Sequence, residues 1–333
     1  MTYPNNLIID RLNQVSTNRI PVWLMRQAGR HLPGYQKLRK AEPDFIKFIE
    51  NKDLTTQAAL EPIQRYDLDA AIIFSDILSI PHWMGWPVAF NPGYGIEIPK
   101  ITSHRLDQLS LSRLADNLEL LDASMRDLKK HVTDRPIIGF TGAPWTLACY
   151  LLDRSKNQFI HARQMLYSQP QFLKDLMTQL TAGIIMSIDT QIQAGADIIM
   201  LFDSWAGLLP TEIYKKHCTE HMLAIQKHIR SKNIPFILFA KGQSYSVQST
   251  FNPDCVTLDW HQTWPEQTSH TIQGGFDPAI LLTSPEIIYK TVKNKLSIQS
   301  NAHYIANMGH GIPPEATPEN VQAFVDAIRS IQP

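Results

Sequence analysis

Residues 198–204 read IIMLFDS, five apolar residues followed at once by Asp203 and Ser204. The run lacks the alternation of a strand with one wet face, so both faces must be covered, as in a parallel sheet between layers. Upstream, residues 172–194 place Leu173, Leu176, Leu180, Ile184, Ile188 and Ile192 at threes and fours, the apolar stripe of a helix. Downstream, residues 211–229 continue that spacing with Ile213, His217, Met222, Ile225 and Ile229. A covered strand between two such helices describes a right-handed βαβ unit.

The pattern of an apolar run stopped by a polar or glycine-containing turn recurs eight times. The runs are 22–25 before Arg26, 70–74 before Ser75-Asp76, 137–140 before Thr141-Gly142 and 198–202 before Asp203-Ser204. The second half adds 236–239 before Lys241-Gly242, 256–258 before Asp259, 271–274 before Asp277, and 304–305 before residues 307–310. Eight units predict one α/β domain over residues 1–333, a (β/α)8 TIM barrel with its active site at the C-terminal ends of the strands. No G-x-G-x-x-G follows the first run, which argues against an open dinucleotide-binding sheet.

Composition narrows the partners. Lys+Arg and Asp+Glu both number 31, so any basic site is local and a nucleic-acid-coating surface is excluded. Cys149, Cys218 and Cys255 are far apart and odd in number, which suits reduced thiols in the cytoplasm better than a disulfide framework. Residues 1–20 lack the apolar core of a secretory signal. No apolar run approaches the ~18 residues of a membrane span.

The residues that carry chemistry cluster at the ends of the runs. Residues 24–39, LMRQAGRHLPGYQKLR, hold Arg26, Gln27, Arg30 and Arg39. One arginine would ordinarily be a surface ion pair of little consequence. Three of them with an amide, at a strand end, suit a polyanion, because guanidinium forks match carboxylates or phosphates bidentately. Asp76, in IIFSDIL, is by local sequence either a helix N-cap or a functional carboxylate, and Asp203 shares that ambiguity, with Ser204 as an alternative cap. His310 stands between two glycines in NMGHGIPP, either as a plain loop histidine or as a site residue. Tyr150 closes an apolar helical stretch and by itself reads as core. Metal ligation is not supported, since His217 and Cys218 are adjacent rather than spaced for a shared site, and no Cys-x-x-Cys or His-Glu-x-x-His occurs. There is no Gly-x-Ser-x-Gly elbow and no Walker loop.

RQAGRHLPGY with PVWLM before it, DAAIIFSDIL, FTGAPWTLACY, LFDSWAG and NMGHGI, in this order from about residue 20 to about residue 325, resemble the uroporphyrinogen decarboxylase family. The resemblance implies a cytoplasmic, homodimeric (β/α)8 barrel that works without metal or organic cofactor. It implies conversion of the four acetate side chains of uroporphyrinogen III to methyls, giving coproporphyrinogen III and carbon dioxide. It places substrate contacts at Arg26, Gln27, Arg30, Arg39, Asp76, Tyr150, Ser204 and His310, with Asp76 and Arg26 as the catalytic pair. An ionised Asp76 beside arginines is expected at neutral pH.

The chain departs from the family where His31 replaces a tyrosine, Gly34 an acidic residue, and Asp153-Arg154-Ser155-Lys156 a Gly-Gly-Ser-Ser-like loop. A Gly-Asn-Leu-Asp-Pro motif reads Gly274-Gly275-Phe276-Asp277-Pro278, and the stretches 99–106 and 260–273 are shortened. Two rivals stand beside the decarboxylase. One is a corrinoid-dependent methyltransferase on a related barrel, although residues 239–242 (FAKG) carry no zinc ligand. The other is a non-catalytic tetrapyrrole-binding paralogue, which has little need of a buried anion facing an acidic ligand.

Overall fold

The computed structural model describes residues 3–91, 95–153, 157–266, 268–297 and 303–331. Seven parallel strands form one curled sheet in chain order: β1 (Ala71–Ile72), β2 (Ile137–Gly142), β3 (Ile198–Asp203), β4 (Phe236–Ala240), β5 (Cys255–Leu258), β6 (Thr271–Gly274) and β7 (Tyr304–Ile305). Helix Lys52–Tyr66 precedes β1, helices Leu111–His131, Pro170–Ala194, Thr211–Ser231 and Pro285–Ser297 lie between strands in sequence, and Pro318–Arg329 follows β7.

The unbroken apolar runs are explained by two separate cores. Along β3, Ile198 and Met200 point inward to a cluster with Ile138, Ile237, Phe239, Cys255 and Ile305. Ile199 and Leu201, one residue out of phase, join the larger cluster beneath the helices. Side chains alternate along every strand, but both destinations are dry, so no polar residue interrupts the run. Ile8 and Leu12 of the helix Leu7–Leu12 complete the inner cluster.

The first apolar run corrects the eight-strand expectation. Residues 22–25 form no strand, and Val22 joins β7's edge through an isolated parallel bridge to Ala306. The Trp23 N–H reaches the Ala306 carbonyl at 3.3 Å, and the Ala306 N–H reaches the Pro21 carbonyl at 2.8 Å. Toward β1, the Asp69 N–H donates to the Val22 carbonyl at 2.8 Å. Side chains take the place of a ladder: Val22 N–H donates to Asp69 Oδ2 (2.7 Å), Leu24 N–H to Gln27 Oε1 (3.4 Å) and Met25 N–H to Asn307 Oδ1 (3.0 Å). Pro21 has no N–H to offer. The segment thus lies between the outermost strands, with Trp23 and Met25 in the inner core and Val22 and Leu24 in the outer one.

Candidate functional site

A cavity of about 300 Å³ opens where the strands end, beside residues 25–30, 72–77 and 310–312. Its floor is aromatic. Phe140 meets Phe202 edge-on at 5.6 Å, Phe202 meets Phe239 at 6.3 Å, and Phe239 meets the His310 ring at 6.2 Å. Phe140, Phe202 and Phe239 lie on β2, β3 and β4, where they border the inner core. A flat, apolar ligand face would find edges and rings there rather than water.

Arg26, Gln27 and Arg30 border the cavity as expected. Arg26 and Arg30 are exposed, and neither guanidinium has a hydrogen bond or ion pair among the described residues. Arg26 adopts φ of 57°, a left-handed conformation that costs a non-glycine residue about 1–2 kcal/mol. Gln27 differs from its expected role. It is fully buried, and its amide donates to the Ala70 carbonyl at 3.3 Å while its oxygen accepts from Leu24. It therefore ties the arginine loop to the chain just before β1.

Asp76 satisfies both of its sequence readings at once. Its Oδ1 accepts the Leu78 N–H at 2.8 Å, and the Ser79 hydroxyl donates to its carbonyl at 2.6 Å, fixing the turn into the helix Ser79–Trp83. No hydrogen bond reaches Oδ2 among the described residues, and the residue lines the cavity. Its surface is only partly covered by area, yet protein surrounds the carboxyl closely. Desolvation raises its pKa above the usual value of 3.8, against the Leu78 hydrogen bond and the positive charge of Arg26. The expected attraction of Arg26 is present, but it is the smaller effect. Loss of hydration outweighs the attraction.

Ser204 and His310 also line the cavity. Burial first, then the charges of Arg26 and Lys241, push the His310 pKa down to about 3. The imidazole is neutral at physiological pH, with one nitrogen donating and one accepting.

Two expected contacts stand outside the cavity lining. Arg39 donates to the Glu42 carbonyl (2.6 Å) and the Pro43 carbonyl (3.0 Å) and lies 5.1 Å over the ring of Phe45, which does border the cavity. Tyr150 packs edge-on to Phe159 (5.3 Å) and Trp205 (6.2 Å). Desolvation raises its pKa, and the charge of Asp76 adds to the rise, so the two side chains are electrostatic neighbours. Asp203 is not a cavity group. It is fully buried and accepts from the Thr146 hydroxyl at 2.6 Å and the Tyr214 hydroxyl at 2.8 Å, pinning two helices to β3.

Tyr35 and Phe45 line the cavity but were not singled out from sequence. Tyr35 packs on Phe74 (5.5 Å), and its hydroxyl feels Arg39, Arg30 and Asp76, although desolvation dominates and raises its pKa. The departure at Gly34 explains how its helix, Pro33–Ala41, starts without a side-chain cap of its own. Glu61 reaches across and accepts the Gly34 N–H (2.8 Å) and the Tyr35 N–H (2.7 Å). A Cβ on residue 34 would stand 2.6 Å from the Glu61 carboxylate, so the glycine makes room for an acid supplied by another helix. Of the altered loop at 153–156, Asp153 is buried, accepts the His161 N–H at 2.7 Å and pairs with Lys100 at 3.3 Å, while 154–156 lie outside the described residues. No group of three or more His, Cys, Asp or Glu side chains placed for a metal occurs among the described residues.

Comparison with known proteins adds the following. The family model described as uroporphyrinogen decarboxylase (URO-D) matches residues 3–331. The protein named uroporphyrinogen decarboxylase from Francisella tularensis subsp. novicida (strain U112) is 39% identical over 338 residues, covering 97% of this chain and 98% of its own length. The protein of the same name from Coxiella burnetii (strain Dugway 5J108-111) is 39% identical over 342 residues, covering 98% and 95%. Among solved structures, a methyltransferase from Methanosarcina mazei is similar with a TM-score of 0.78 at 16% identity, over 99% of each chain. A B12-independent methionine synthase from Shewanella sp. W3-18-1 is similar with a TM-score of 0.52 at 11% identity, over 94% of each. Identities this low show a shared fold and nothing of the chemistry.

Proposed function

The chain belongs to the uroporphyrinogen decarboxylase family, and we propose that its chemistry takes place in the cavity between Arg26, Asp76 and His310. The enzyme decarboxylates uroporphyrinogen in porphyrin biosynthesis. The observation that carries the site assignment is a single desolvated carboxylate, half open to a cavity with an aromatic floor and, at its rim, guanidiniums without a partner among the described residues.

Breaking the bond between an acetate carboxyl and its methylene needs a place for two electrons. The pyrrole supplies it once the ring carbon next to the acetate-bearing carbon is protonated, because the ring becomes a cation. Carbon dioxide leaves, the electron pair moves into the ring as an exocyclic methylene, and protonation of that methylene with loss of the ring proton gives the methyl. Each turn consumes one proton overall and calls on no metal or organic cofactor.

Asp76 Oδ2 accepts the pyrrole N–H and faces the developing cation. Burial makes its negative charge costly in the empty site, and the cation relieves that cost in the transition state, where relief accelerates the reaction. Aimed electrostatics of this kind supplies about 3–4 kcal/mol per group. Arg26 and Arg30 hold carboxylates that are not reacting, orienting the macrocycle over the floor of Phe140, Phe202 and Phe239. Arg26 also delivers the proton, directly or through water. Neutral His310 and the Ser204 hydroxyl bond a substrate carboxylate without adding charge. Gln27 acts through the loop it anchors, and Arg39 and Tyr150 meet the substrate's outlying acids.

The same reading takes the seven strands and residues 22–25 as the eight staves of one (β/α)8 barrel, and the enzyme as a cytoplasmic homodimer. Support for the compartment is that all three cysteines are free and buried. No helix among the described residues is long and apolar enough to cross a membrane.

Anaerobic incubation with uroporphyrinogen tests the reading. Successive products with seven, six, five and four carboxylates are expected. Tight binding with no product would mark a tetrapyrrole-binding paralogue instead.

A further inference from the structure

We infer that Gly311 is a positioning residue for Arg26, keeping free the space through which the arginine stem reaches the cavity. This rests on the reading of Arg26 as a substrate contact. A Cβ built on Gly311 would collide with Arg26 Cδ and stand 2.6 Å from its Cγ and 3.0 Å from its Cβ. The first two contacts carry the inference: they fall on the stem beyond Cβ, which must leave its present path, whereas the contact to Cβ is eased by a backbone shift of a few tenths of an ångström.

The backbone has little freedom to give. Arg26 already occupies the left-handed region. Its predecessor is held from both sides: the Met25 N–H donates to Asn307 Oδ1 at 3.0 Å, and the Met25 carbonyl accepts the Ile312 N–H at 3.1 Å. The same Asn307 oxygen accepts the Met308 N–H at 2.8 Å, so one side chain clamps the arginine loop to the loop carrying His310. Gly311 itself is not among the glycines with positive φ, so its backbone conformation admits alanine. Space, not conformational freedom, is what the glycine provides. A methyl there meets the Arg26 stem first, since the three heavy atoms nearest to it all belong to Arg26.

The test is a cycle of Gly311→Ala, Arg26→Ala and the double variant. Gly311→Ala is expected to lower kcat/KM about 100-fold, as displacement of a site group by about 1 Å does. On the Arg26→Ala background the same change should have no further effect, because the stem it meets is gone. Melting temperature runs the same cycle without reference to activity: Gly311→Ala lowers it when Arg26 is present and not when Arg26 is alanine. Additive effects of the two changes, or a Gly311→Ala enzyme equal to wild type in both measurements, would overturn the inference. Should Arg26→Ala prove fully active, the substrate role of Arg26 falls, and the melting cycle still decides whether Gly311 positions it.

Discussion

Val22 and Asp69 exchange two hydrogen bonds, Val22 N–H to Asp69 Oδ2 at 2.7 Å and Asp69 N–H to the Val22 carbonyl at 2.8 Å. Asp69 is fully buried, and its carboxylate also accepts from Arg19 Nη1 (2.7 Å) and Asn5 Nδ2 (2.7 Å). The exchange joins the segment that delivers Arg26 to the segment that delivers Asp76. The two halves of the proposed site are thereby set against each other from behind.

Asp69→Ala leaves a buried Val22 N–H and the Arg19 guanidinium without their acceptor. A loss of about 3 kcal/mol follows, since a buried unsatisfied donor and a broken ion pair each contribute. Asp69→Asn keeps one oxygen for Val22 and should lose less. Urea unfolding of the three proteins checks the order, and equal midpoints would show that the exchange is not holding the segment.

A second prediction concerns pH and stability. Burial pushes the Asp203 pKa up to about 6, against hydrogen bonds from Thr146 and Tyr214. The folded protein therefore holds this proton more tightly than the unfolded chain. The stabilisation is complete below about pH 4 and is lost as pH rises through about 6, by roughly 3 kcal/mol. Asp203→Asn cannot titrate. Its stability relative to wild type should rise between pH 4 and 7, read from melting temperatures across that range, and a constant difference would contradict the assignment.

Arg30→Ala should weaken substrate binding more than Lys100→Ala. Lys100 is half-exposed and paired with Asp153, whereas the Arg30 guanidinium at the cavity rim has no ion pair among the described residues. Because Arg30 is exposed in the empty site, the expected loss is at the low end for a charge partner, about 2 kcal/mol. Equal small changes in affinity would make the loop a structural element only.

Activity should survive exhaustive treatment with a chelator, because the protonated pyrrole is the electron sink. Loss of activity restored by zinc would refute this.

Much of the fold was legible in the sequence because strand and helix periods are local properties. The helix read at 211–229 is found at Thr211–Ser231, and the run 271–274 coincides with β6. Residues 22–25 have the same apolar pattern, but their hydrogen bonds go to Asp69, Gln27 and Asn307, partners that only the folded chain brings near. The site divides in the same way. Arg26, Arg30, Asp76, Ser204 and His310 are polar residues that follow apolar runs, a position legible in the sequence, and all five line the cavity. Tyr35, Phe140, Phe202 and Phe239 resemble core until the cavity is seen. The pKa direction of Asp76 depends on how deeply it lies, which no local pattern encodes.

The most direct measurement is single-turnover kinetics and binding of uroporphyrinogen with Asp76→Asn under anaerobic conditions. Asparagine can still accept the Leu78 N–H, so the turn and the melting temperature should be preserved. The charge facing the pyrrolic cation is gone, and turnover should fall by about 100-fold to 1,000-fold. Binding should not weaken, because a negative charge no longer opposes a polyanionic substrate. Loss of turnover without loss of binding marks an interaction made only in the transition state. Normal turnover by Asp76→Asn would contradict the account and leave Asp76 as the residue that turns the chain into its next helix.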